Sequence, residues 1–394
     1  MSTWAGPDGP SASNDIQPTQ DGGPDLGRSP RIVVISYRLG GADGVSKESA
    51  KWARAMRSLG CRVSTVAGEG EADHLVPGLA AAPHLRGGPA VPVDEAHLHR
   101  AISGADLVVV ENLCSLPLNP SAGAAVAKAL RGRPAVLHHH DLPWQRPQFA
   151  GSPPPPDDPA WRHVTITDQA RSELAVRGLR AVTVRNCFDP FPPVGEREVT
   201  RRALGVAEGE LLFMQPTRAI RRKGIARAVA LAEAFGATYW LVGDPEEGYG
   251  EELTALLANA RTRVVRGRPE GLVTTTTGIE NAYAAADLVL FPSTQEGFGN
   301  PPVEASLHLR PVAVGPYPAR AELEALGFRW PDAYNLAEVG AWLAGGHSHD
   351  LELNAATARR HLSTDDLPLR LGAVLRDTGL RLPPRPGTGV SPGR

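Results

Sequence analysis

Along this chain short, unbroken apolar runs alternate with longer stretches whose apolar positions recur at helical spacing. The first run is Arg31-Ile32-Val33-Val34-Ile35-Ser36-Tyr37. A Gly-rich turn follows, then an amphipathic stretch from Ser46 to Leu59, with Gly60 placed to end that helix. Cys61 to Ala67 reads as the next strand, and further strands are predicted over 106–111, 134–140, 162–167 and 181–185. After Asp189-Pro190 the pattern restarts. Strands are expected over 210–216, 238–243, 263–266, 287–292 and 311–314, with helices between them, notably 224–235 and 251–260. Strands that are apolar at every position are buried on both faces, so each series predicts a parallel sheet flanked by helices.

Two such series in 394 residues predict two Rossmann-like, doubly wound α/β domains. The first is placed over 31–190 and the second over 191–350. The join falls near 186–200, where Pro190, Pro192 and Pro193 cluster. In open parallel sheets ligands bind outside the carboxyl ends of the strands, so two facing sheets imply a cleft between the domains. Residues 1–30 and 381–394 are rich in Gly, Pro and Ser and are expected to be disordered tails.

Composition narrows the class without choosing a chemistry. The chain is 42% hydrophobic and 21% charged, as a soluble globular protein is. A formal net charge of -2 gives no electrostatic footprint for nucleic acid. Cys61, Cys114 and Cys187 are odd in number and far apart, which argues against a disulfide framework or a zinc site. No apolar run approaches the roughly 20 residues that cross a bilayer. The first residues lack the basic start and apolar centre of a signal peptide. The expectation is a cytoplasmic protein, with peripheral membrane contact left open.

The richest chemistry lies in 287–304. The strand ends in a loop holding Glu296-Gly297-Phe298-Gly299-Asn300, and Pro301 and Pro302 suit the first turn of a new helix. Glu304 is expected near that helix's N-terminus, where backbone N–H groups favour an anion such as a phosphate. The glycines let backbone approach a ligand, and the two carboxylates can bind sugar or ribose hydroxyls. In Leu137-His138-His139-His140-Asp141, three adjacent histidines suggest a metal. Side chains alternate faces along a strand, however, so the three are not expected to converge on one ion.

Glu296 and Glu304 form an E-x7-E pattern within EGFGNPPVEA. This closely resembles the signature of family 4 retaining glycosyltransferases, which adopt the GT-B fold, and the resemblance covers most of 31–330. Pro216-Thr217-Arg218 with Arg222-Lys223-Gly224 resembles the family's strand-end arginine and "KG" lysine, which hold the donor diphosphate. Arg221 and Arg222 themselves read as a solvated surface pair. His140-Asp141 resembles the "HD" position, where a histidine faces the donor sugar, and His138 reads as a buried structural histidine. The resemblance therefore implies Glu296, His140, Arg218 and Lys223 as the catalytic set. It implies Glu304, Gly297, Phe298, Gly299, Asn300, Gly243 and the first-loop Gly41 as donor-binding. Asp43, Asp141 and Trp144 are the acceptor-side candidates.

Two departures stand out. Only the Asn and Asp of Arg185-Asn186-Cys187-Phe188-Asp189 match the family's "PNGVD" turn, which leaves a role for Asn186 in question. His308-Leu309-Arg310 stands where a small residue and glycine are usual. The family's last helix crosses back to the N-terminal domain. The stretch 351–380 is the candidate here, with Pro368 expected to break it.

The implied reaction is transfer of a hexose from a nucleoside-diphosphate sugar, of UDP-glucose or GDP-mannose type, to an unidentified acceptor. The anomeric configuration would be retained by a front-face, ion-pair-like step. No Asp-x-Asp occurs, so the cation work falls to Arg218 and Lys223 and no metal or further cofactor is expected. The alternatives are a GT-B nucleotide-sugar epimerase and a non-catalytic sugar-nucleotide or glycan-binding protein.

Overall fold

The computed structural model describes residues 28–41, 43–81, 91–267 and 278–384. The expected tails lie outside these residues except at 28–30 and 381–384. Arg28 pairs with Asp106, whose other oxygen accepts from Arg31 N at 2.7 Å.

Strands β1 (Arg31–Leu39), β2 (Arg62–Gly70), β3 (His74–Leu75), β4 (Leu107–Glu111), β5 (Ala135–His139), β6 (Trp161–Thr165) and β7 (Ala181–Thr183) form one sheet. Its order is β3-β2-β1-β4-β5-β6-β7. Strands β8 (Leu212–Gln215), β9 (Thr238–Leu241), β10 (Val264–Arg266), β11 (Leu288–Phe291) and β12 (Val312–Val314) form a second, ordered β10-β9-β8-β11-β12. Paired strands run parallel in both. The two-residue edge strand β3 has no apolar run and was not anticipated from the sequence; its pairing with Val66 and Ala67 forms it.

Local chemistry sets the element ends. Asp43 caps the helix Gly44–Ser58 by accepting from Ser46 N at 3.0 Å, and Gly60 takes φ +83 just beyond its end. Buried apolar clusters cover both faces of each sheet. Each order reverses direction beside its first strand, between β1 and β4 and between β8 and β11. Such switch points open a crevice at the carboxyl ends of the strands.

The stretch 351–380 divides in two. The helix Ser348–His361 packs on the helix Asn300–Leu307 of the second lobe. The helix Leu367–Asp377 packs on Gly44–Ser58, with Leu367, Leu371 and Leu375 buried against Trp52 and Met56. Pro368 does not break a helix: it sits in the first turn of the second one, where its missing N–H costs nothing. The chain therefore crosses between lobes twice. The crossings pair, Phe188 N donating to Leu362 O at 2.7 Å and Thr364 N to Phe188 O at 2.9 Å.

Candidate active site

The two switch points face one another across a cleft of about 270 Å³. From the first lobe come Asp43 after β1, His140 and Asp141 after β5, and Asn186 beyond β7. From the second come Arg218, Arg222 and Lys223 after β8, Gly243 after β9, and Glu296 to Asn300 with Glu304 after β11. The cleft thus gathers residues more than 250 positions apart in sequence, because both sheets end there.

Its charges are tightly matched. Lys223 Nζ lies 2.6 Å from Glu296 Oε1, and Arg222 Nη1 reaches Glu296 Oε2 at 3.1 Å and Gln295 O at 2.9 Å. Burial pushes the Lys223 ammonium down to about 8 against the pull of Glu296. Burial works to raise the Glu296 carboxyl, but Lys223 and Arg222 outweigh it and hold it low. Arg218 Nη1 donates to Glu246 at 2.8 Å. Arg222 is thus a partly buried cleft residue with its Nε unpartnered, unlike the solvated surface residue expected. Arg221 is more exposed and pairs with Glu252.

The 296–304 loop is shaped by close backbone approach. A Cβ on Gly297 would stand 2.5 Å from His140 O in the opposite lobe, so glycine is required where the lobes touch. Gly299 takes φ +99 beneath Tyr317. Gly243 packs against Thr217 O, where a Cβ would come to 2.3 Å. Phe298 is buried with its ring against Phe188, so its ring belongs to the core. Asn300 Oδ1 accepts from Asn186 Nδ2 at 2.9 Å across the cleft, which brings Asn186 into the site after all. Glu304 lies beyond the first turn of its helix and accepts from Tyr283 Oη at 2.7 Å.

On the first lobe, strand alternation sorts the histidines as expected only in part. His139 points to one face and meets His163 at 2.8 Å. His138 and His140 share the other face and do converge, on Glu111, a carboxylate the sequence reading passed over. Glu111 Oε2 lies 2.9 Å from His138 Nδ1 and 2.7 Å from His140 Nε2. These three form the one cluster among the described residues with donor atoms within 4.8 Å of one another. The facing atoms are hydrogen-bonded to each other, and we read the trio as a hydrogen-bonded unit. Glu111 ends a fully buried strand, and a carboxylate there was the available signal.

The acceptor-side candidates divide. Asp43 lines the cleft, but its carboxylate is committed to Ser46 and Arg38. Burial would raise the Asp141 carboxyl, yet Arg146, at 2.7 Å, and Arg222 hold it down to about 2. Trp144 turns away from the cleft: its Nε1 donates to Glu173 at 2.7 Å and Arg177 lies 3.5 Å over its ring. Its partners on the helix Asp168–Val176 decide that orientation, and no local pattern announces it. Gly41 lies beside Asp43 and Arg38, outside the cleft wall.

No protein-family model matches the chain. Mannosylglucosylglycerate synthase of Petrotoga mobilis is 27% identical over 372 residues, 75% of this chain and 85% of the relative. The synthase of the same name from Thermotoga maritima is 27% identical over 360 residues, 76% of this chain and 84% of the relative. The chain is an enzyme of the glycosyltransferase class. Among solved structures, Anabaena HepE in complex with UDP-glucose superposes with a TM-score of 0.66 at 18% identity, covering 88% of this chain and 99% of that one. Sucrose-phosphate synthase from Thermosynechococcus elongatus gives 0.66 at 16% identity, covering 89% and 99%. These likenesses establish the GT-B fold for the enzyme. No helix among its described residues is long and apolar enough to cross a membrane.

Proposed function

We propose that this enzyme is a family 4 retaining glycosyltransferase with the E-x7-E site. It moves a hexose from a nucleoside-diphosphate sugar to a small acceptor without a metal. The observation that carries the reading is the cluster of Arg218, Arg222 and Lys223 with Glu296 on the second lobe, facing His140 across the cleft. A departing diphosphate gains negative charge as the glycosidic bond breaks, and fixed cations lining the cleft stabilise it. Glu304 holds the ribose, and Glu296 with the Gly297–Gly299 backbone holds the hexose hydroxyls. Arg218 and Lys223 take the diphosphate, while His140 contacts the sugar. Arg222 Nε and Asn186 Oδ1 are buried at the cleft without partners, and a bound ligand would satisfy such groups.

Retention by a front-face step is supported by how the described cleft carboxylates are engaged. Asp43 caps a helix, Asp141 pairs with Arg146, Glu296 with Lys223, and Glu304 with Tyr283. Each is thereby held in place to bind hydroxyls or balance a cation, the part that a front-face step asks of it. Closure of the lobes would exclude water that otherwise hydrolyses the donor. The names of the curated relatives make a hexosyl glycerate the first acceptor to try, with UDP-glucose and GDP-mannose as donors.

Thermal-shift measurements with UDP-, GDP- and ADP-sugars test the reading first. A true donor at 100 times its Kd stabilises the folded enzyme by about 2.7 kcal/mol. Turnover should then give product of unchanged anomeric configuration, and Glu304→Ala should abolish it with the fold intact. No stabilisation by any sugar nucleotide would sink the proposal. An unchanged rate in Glu304→Ala would favour a binding protein. Release, without acceptor, of free nucleotide and a sugar inverted at one ring carbon would mark an epimerase.

A further inference from the structure

We infer that Glu111 is a positioning residue that orients the His140 ring toward the donor and supplies the counter-charge for an imidazolium there. The inference rests on the functional reading above, in which His140 meets the donor sugar. Glu111 is completely buried at the carboxyl end of β4, one strand nearer the switch point than β5. Its Oε2 takes His140 Nε2 at 2.7 Å, while His140 Nδ1 has no partner among the described residues and the ring lines the cleft. The next residue, Asn112, sits at φ +59 and fixes the backbone of the same turn. Its Oδ1 accepts from His140 N and Asp141 N, each at 3.1 Å. Side chain and main chain of His140 are therefore both held by consecutive residues of one strand end. A non-glycine residue in left-handed backbone is a cost tolerated where position matters.

The surroundings favour charge on His140. From β4 it faces Glu111, from the helix Gly44–Ser58 it faces Glu48, which is paired to Lys51, and beside it is Asp141, paired to Arg146. Burial opposes the charge, but these acids outweigh it and raise the imidazole above its ordinary value. Burial drives His138 the other way, so it serves Glu111 as a neutral donor stacked on Trp52 at 3.9 Å. Burial alone would raise Glu111, yet the two histidines hold it down to about 2. With Nε2 taken by Glu111, the imidazolium keeps its Nδ1–H to donate a charge-assisted hydrogen bond to the sugar or to the departing phosphate in the cleft that the ring lines.

The test uses the full chain with 15N-labelled histidine, following each ring by NMR against pH and assigning His140 by comparison with His140→Gln. Glu111→Gln keeps shape and removes charge. The His140 midpoint should fall by about one pH unit or more, the scale of a close opposite charge. Because the protonated ring is the active form, activity is present below its raised pKa and lost as pH rises through it. In E111Q that alkaline loss should move to lower pH, with kcat down roughly 10- to 100-fold, below the loss from deleting a transition-state donor outright, and donor KM little changed. His138→Phe keeps the stack on Trp52 and withdraws the competing hydrogen bond, so it should move the midpoint upward, which mere damage to the fold would not do. If E111Q does not fold, H138F carries the test alone. Unmoved midpoints in the folded variants overturn the inference. Midpoints that move while no sugar nucleotide is turned over overturn the functional reading, and with it the catalytic use of the pair.

Discussion

In the second lobe the groups that meet the cleft are neighbours in sequence: Arg222 with Lys223, and Glu296 through Glu304, each set in the segment that follows one strand. In the first lobe they come from separate strand ends. His140 follows β5, its counter-ion Glu111 ends β4, and Asn186 lies past β7. The lobes also differ in electrostatics. The second presents cations, with one carboxylate drawing two of them together. The first holds a buried carboxylate beneath two imidazoles. On the proposed reading, a lobe that grips phosphate needs its cations on the cleft wall, where the ligand arrives, and a lobe that turns one ring to a sugar needs its fixed charge behind the ring.

The largest break in that comparison should come from Lys223→Ala. It leaves Glu296 with Arg222 alone and, on the proposed reading, removes a cation from the donor diphosphate, so kcat/KM with the true donor should fall on the order of 10²–10³-fold. The pH profile comes next. With the Lys223 ammonium held at about 8, donor affinity should weaken as pH rises through that value, and Lys223→Arg should carry the loss to higher pH. For stability the sign is opposite. Folding lowers this pKa from 10.5 to about 8, so the unfolded chain binds the proton more strongly between those values and stability rises with pH across that window.

The touching point between lobes offers a sharper probe. Gly297→Ala places a Cβ against His140 O, and the strain should cost about 1–3 kcal/mol. Turnover should fall more than the melting temperature, because the lobes are pushed apart at the site. A small gain is expected from Leu309→Gly. Leu309, within the His308-Leu309-Arg310 stretch that stands where a small residue and glycine are usual, takes φ +53, and relief of left-handed strain should add about 1 kcal/mol in denaturant melts. Trp144→Phe, distant from the cleft chemistry, should leave turnover within a few-fold. A chelator should leave it unchanged, and a loss restored by a divalent ion would end the metal-free reading.

Parts of this were legible in the sequence for a physical reason. Strands buried on both faces are apolar along most of their length, so β1, β4, β5, β8 and β11 stood out, and with them two sheets. The loop of 296–304 was legible because glycine, proline and carboxylate there act on their own local backbone. The missed features depend on what another segment brings. Arg222 read as solvated because its partner Glu296 is 74 positions away, and Trp144 read as a cleft residue because nothing beside it announces Glu173. The argument that three histidines could not converge held for His139 and left out the neighbouring strand, where Glu111 waits for the other two.

By itself the sequence determined most of the elements, their parallel pairing into two lobes, and the glycine-bearing turn that leads into the helix Asn300–Leu307, since those follow from periodicity and backbone chemistry within a few residues. Tertiary structure alone decided which charges neutralise which, which ring faces the cleft, and where glycine is compulsory. Those depend on distances of a few ångströms between strand ends that only the sheet order and the double crossing bring together.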